Sequence, residues 1–134
     1  MSRNEPARSR IEQGIYQDGM DLPRDMATTA ARAASDMLAR DVTIIDLRGL
    51  VSYTDYFVVA SAGTERQTRR VAQEVIDRMK EAGHRPRTSR TDEGASWISL
   101  DFLDVVVHIF TDEARDYYRL ESLWRSAPQE RWEG

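Results

Sequence analysis

Apolar positions change their spacing several times along this chain, and each change marks an element. Met26, Ala30, Ala33 and Met37 recur at helical spacing, with Leu38 widening the stripe, which predicts a helix from Arg24 onward. Val42-Thr43-Ile44-Ile45-Asp46-Leu47 predicts a strand closed by a turn at Gly49, and Tyr56-Phe57-Val58-Val59 has the composition of a buried strand. Ser61-Ala62-Gly63 is expected to break it. Thr64 with Gln67 three residues later forms a capping box, so a second helix should run to about Ala82. Val71, Val75, Ile76 and Met79 would share its buried face, and Gly83 would end it. Arg85 to Thr91 is polar and weak, and Pro86 suits a strand at a sheet edge. Thr111-Asp112-Glu113 opens a last helix with Tyr117, Leu120 and Trp124 at helical spacing, stopping before Pro128. This alternation of helices and strands predicts one α/β domain with a mixed sheet and packed helices.

The stretch Ser96 to Phe110 carries the most information. It alternates as two strands folded back on each other. Ile98 and Leu100 share one face with Val105, Val107 and Ile109. The opposite face holds Trp97, Ser99, Asp101, Val106, His108 and Phe110. The first set is core. The second mixes aromatic anchors with polar groups, as binding surfaces do. The same pattern also suits a tryptophan packed under a helix, on a sheet covered on both sides.

Composition narrows the function. With 134 residues the chain can build one hydrophobic core, and its net charge of −4 lacks the basic surface that general nucleic-acid binding needs. Docking to a protein within a larger nucleoprotein particle remains open. There is no cysteine, which removes disulfides, zinc–thiolate sites and cysteine nucleophiles. No apolar run approaches a membrane span, and the first residues lack an apolar signal core. Glu5, Glu12 and Asp18 among the early arginines fit a transit peptide poorly, so a soluble cytoplasmic protein is expected. Residues 1–23 carry no sustained apolar period and read as a flexible arm, 24–127 as the domain, and 128–134 as a tail.

Catalytic chemistry finds little support. Asp46, Asp55, Asp101 and Asp104 lie at or beside strand ends, but the D-x-D by which mixed-sheet nucleotidyltransferases hold magnesium is missing. These carboxylates are expected to cap turns and pair with arginines. The Ser61-Ala62-Gly63-Thr64 turn lacks a complete phosphate-binding motif, and His108 has no nucleophile elbow to serve. Arg66, Arg69 and Arg70 are interleaved with Glu65, Glu74, Asp77 and Glu81, as on a solvated amphipathic helix. No cofactor or metal site is expected. A binding module is favoured, with a nucleotide-binding or nucleotidyltransferase-like enzyme as the alternative.

Several linked segments resemble the ribosomal silencing factors of the Iojap type. They are Val42 to Gly49, Ser52 to Ser61, Arg66-Gln67, Ala82-Gly83, Trp97 to Phe110, and Tyr118 to Trp124. The likeness covers about residues 25–126. It implies a nucleotidyltransferase-like fold without the catalytic carboxylates. It also implies a translation repressor that binds ribosomal protein fourteen of the large subunit, blocks joining of the small subunit under nutrient limitation, and commonly forms homodimers. Direct sequence-specific nucleic-acid binding and membrane association are not implied. Carried onto this chain, the partner-binding position is Trp97, followed by Asp101, Phe102, Asp104 and His108. Two positions depart from the family pattern: the glycine before the second helix is displaced to Gly63, and Leu103 stands where glycine is frequent.

Overall fold

The structure, a computed structural model, describes residues 21–133. The expected arm therefore lies, through residue 20, outside the described residues. Asp21 accepts a hydrogen bond from the Arg24 N–H at 3.2 Å and caps helix α1 (Leu22–Asp36). Pro23 belongs to that helix rather than to an arm, since proline in the first turn gives up only an N–H that has no helical partner. Strands β1 (Arg40–Asp46) and β2 (Tyr56–Ala62) follow, then α2 (Glu65–Glu81), β3 (Thr88–Thr91), β4 (Trp97–Asp101) and β5 (Val105–Thr111). Two short helices, α3 (Asp112–Tyr118) and α4 (Leu120–Leu123), precede a final strand, β6 (Gln129–Arg131).

These strands make one six-stranded mixed sheet in the order β3-β4-β5-β2-β1-β6, with β2 and β5 parallel and the other neighbours antiparallel. Helices α1 and α2 cover one face. Alanines 27, 30, 31 and 34 let α1 approach the sheet closely, while Val71, Val75 and Met79 supply the buried stripe of α2. They meet Ile44, Tyr56, Val58, Ile98, Leu100, Val107 and Ile109. The other face carries a smaller core of Ile45, Leu47, Phe57, Val59 and Phe110, closed by Ala114, Ala127 and the partly buried Leu120 and Trp124.

The expected caps form, with one adjustment. Thr64 accepts from the Gln67 N–H at 3.1 Å, but the Gln67 amide oxygen accepts from the N–H of Gly63 at 3.0 Å, one residue earlier than a reciprocal box requires. Ser61 and Ala62 stay in the strand, so Gly63 alone ends it. Leu38 does not extend the α1 stripe. It lies past the helix end at φ +67° and is 77% exposed. The last predicted helix breaks in two at Arg119, which adopts a left-handed conformation (φ +50°) and leaves Tyr117 80% exposed.

The tail is part of the domain. β6 pairs with β1, and the Trp132 N–H donates to the Val42 carbonyl at 2.7 Å. The Trp132 ring packs against the helix-covered core with the Arg32 guanidinium 5.6 Å from its centroid. Three polar residues after a proline carry no strand signal of their own. Pairing with an open sheet edge supplies what propensity does not.

Candidate functional site

The β4–β5 hairpin has the expected register: Trp97 opposes Phe110, Ser99 opposes His108 and Asp101 opposes Val106. Trp97 and His108 are thus diagonal neighbours on the less covered face, within reach for long or aromatic side chains. The Trp97 indole lies 4.9 Å from the Phe110 ring and 5.9 Å from the His108 ring, centroid to centroid. Its Nε1–H donates to His108 Nδ1 at 3.2 Å. Phe57, on the neighbouring β2, meets His108 edge to face at 4.6 Å and Trp124 at 6.3 Å.

Tyr118 completes the cluster. Thr111 ends β5 and caps α3 at once, its hydroxyl accepting from the Ala114 N–H at 3.2 Å. Ala114 and Tyr118 are four residues apart and share the sheet-facing side of α3. This brings the Tyr118 ring 4.7 Å from Trp97. Arg115 locks α3 in place. Its guanidinium donates to the Asp41 carbonyl at 2.7 Å and the Ser61 hydroxyl at 2.8 Å, and pairs with Glu121 at 2.7 Å. Trp97 is left partly exposed on the wall of a cavity of about 400 Å³, shared with Arg90, Thr91, Asp92, Ser99 and Tyr118. A tryptophan with one side packed and one side open has the form of an interface anchor. Helix α3 covers Trp97 without closing over it, so the ring is packed on one side and partly exposed on the other.

The other expected site residues separate. Asp101 and Asp104 sit at the hairpin turn, about 13 Å along the strand from Trp97 at ~3.3 Å per residue. Asp101 accepts from the Leu103 N–H at 2.8 Å and from Arg87 at 3.0 Å. The Asp104 carbonyl accepts from the backbone N–H groups of Asp55 and Tyr56. Burial, then the Asp55 charge, raises the Asp104 carboxyl above its usual range, and burial does the same to Asp55. Asp46 pairs with Arg48 at 2.8 Å, which holds its carboxyl below the usual range. Phe102 leaves this face altogether. It is 5% exposed in the helix-covered core, on the side that strand alternation from Ile98 and Leu100 assigns it. His108 is 7% exposed, so it lies largely beneath the surface that Trp97 and Tyr118 present. Burial pushes its imidazole down to about 4, so the ring is neutral at pH 7.

Sequence reasoning passed over Tyr118 and Arg115. Tyr118 stood within a family-like segment, but a single long helix through Tyr117 and Trp124 would have turned it elsewhere. Arg115 carries no sequence signal, because its partners lie on β1 and β2. Among the described residues no group of three or more His, Asp or Glu side chains is placed to hold a metal ion.

Residues 21–134 match the family described as "Ribosomal silencing factor during starvation". The chain belongs to that family. The ribosomal silencing factor RsfS of Bacillus subtilis is 35% identical over 99 residues, covering 74% of this chain and 84% of the relative. The chloroplastic protein Iojap of Zea mays is 34% identical over 101 residues, covering 75% of this chain and 44% of that longer protein. Among solved structures, a crystal structure of a Chromobacterium violaceum protein superposes with a TM-score of 0.74 at 32% identity, covering 78% of this chain and 87% of that one. One from Bacillus halodurans gives 0.71 at 29% identity, covering 81% and 99%. The silencing-factor match reaches through β6 and Trp132, beyond the residues that carried the sequence resemblance.

Proposed function

We propose that this silencing factor represses translation by steric occlusion. It docks on ribosomal protein fourteen of the large subunit through the Trp97 surface, so that the small subunit cannot join. The half-open Trp97–Tyr118 pair carries this proposal, because it offers a rigid aromatic anchor beside a cavity on the thinly covered face. Occupancy alone suffices for the effect, and no chemical step is needed. Of the carboxylates that an enzymatic mechanism would recruit, Asp101 caps the hairpin turn and pairs with Arg87, and Asp46 pairs with Arg48. Family membership supports a role on the ribosome and, with it, a cytoplasmic location. The same likeness supports a homodimer. Light scattering of the purified protein tests that part, and a mass of 15.4 kDa, that of one chain, would contradict it.

Trp97→Ala tests the docking surface. It should weaken binding to the large subunit by about 2 kcal/mol or more, roughly 30-fold, while the protein still melts cooperatively. Unchanged affinity would remove Trp97 from the interface.

A further inference from the structure

His108 is a polar residue nearly closed off from solvent, 7% exposed among the aromatic rings of Phe57, Trp97 and Phe110. Its Nδ1 accepts the indole N–H of Trp97 at 3.2 Å. A neutral imidazole that accepts at Nδ1 carries its proton on Nε2. That second nitrogen is buried and has no hydrogen-bond partner. Leaving a polar atom unpaired in the interior is unfavourable and asks for an explanation. The ring is also fixed from the β2 side, where Phe57 meets it edge to face at 4.6 Å. Phe57 is in turn backed by Trp124. The chain thus invests a buried, half-satisfied polar ring in holding one indole.

We infer that His108 is a positioning residue: it draws the indole N–H of Trp97 inward, so that Trp97 meets whatever covers it with carbon atoms alone. Indole has a single donor and no acceptor. Once that donor is spent inside the chain, the exposed edge of Trp97 recognises shape and apolar surface. The matching partner feature is an aliphatic or aromatic socket on a protein. Polar specificity must come from the rim, where Arg90, Asp92 and Ser99 line the same cavity. This inference rests on the proposed docking surface for its partner, but the internal hydrogen bond is measurable in the free protein.

The test uses the full chain labelled with ¹⁵N-tryptophan, the Trp97 indole resonance being assigned by its loss in Trp97→Phe. In the free wild-type protein the Trp97 indole proton should exchange slowly with solvent. In His108→Phe, which keeps an aromatic ring against Phe57 but offers no acceptor, exchange should quicken. Binding to purified large subunits should then weaken about fivefold to tenfold, as the loss of one neutral hydrogen bond predicts. His108→Asn places an amide oxygen near the former Nδ1, so it should restore slow exchange and most of the affinity. Affinities are compared per folded molecule, from the melting curve of each variant. Fast indole exchange in the wild type would overturn the inference, as would full affinity in folded His108→Phe. If Trp97→Ala binds as tightly as wild type, the docking proposal fails, and the exchange rates still decide whether His108 holds the indole.

Discussion

Stability should depend on pH through His108 in a window set by its burial. In the unfolded chain the imidazole titrates near its ordinary 6.5, while in the folded protein burial holds it at about 4. Between these values the unfolded state binds a proton that the folded state refuses, so stability falls as pH falls. It is fully present above pH 6.5 and is lost progressively toward pH 4. At about 1.36 kcal/mol per pH unit, the gap corresponds to about 3 kcal/mol, a large part of a typical domain's 5–15 kcal/mol. Little solvent screening reduces it, because the ring is 7% exposed. Protonation at Nδ1 would also set a donor against the Trp97 indole N–H. Asp55 and Asp104, whose carboxyls are raised, act in the opposite direction just above their usual range. The measurement is therefore a difference: urea unfolding of wild type and His108→Phe at pH 7, 6, 5 and 4. The variant starts less stable, and the gap should shrink or reverse as pH falls. A gap that stays constant from pH 7 to pH 4 would show that His108 does not refuse the proton, and the account of its neutral ring would be wrong.

Leu103→Gly should stabilise the protein by several tenths of a kcal/mol. Leu103 is half exposed at φ +77°, so glycine relieves backbone strain at little packing loss, and equal or lower stability in urea would argue against that strain. Trp132→Ala should cost about 2 kcal/mol, because the ring closes the helix-covered core from the last residues of the chain. A neutral change would detach the tail from the fold. Purified protein incubated with ATP and magnesium should show neither turnover nor a raised melting temperature. Turnover that vanishes in Asp46→Asn, Asp55→Asn or Asp101→Asn would establish the enzymatic alternative.

The faces of the hairpin were legible from residue type because strand alternation is strictly local. Trp97, Ser99 and Asp101 could be set against Ile98 and Leu100 without knowing what packs on either side. The capping threonines were legible for the same reason. What lay beyond the sequence depended on contacts distant along the chain. His108 is buried because Phe57 from β2 leans on it. β6 forms because β1 offers an open edge. The break at Arg119 gave no warning either. It is a left-handed arginine in a segment of continuous helical pattern, and it ends α3 directly after Tyr118.

Steric occlusion itself is tested most directly by subunit joining. Separated large and small ribosomal subunits are mixed with the purified protein and resolved on a density gradient. The account predicts that the protein travels with the large subunit and lowers the fraction of joined particles. Pre-assembled ribosomes should be little affected, because their contact surface is already covered. Trp97→Ala should lose binding and inhibition together. Migration with the small subunit, or full occupancy of the large subunit with joining undiminished, would contradict it.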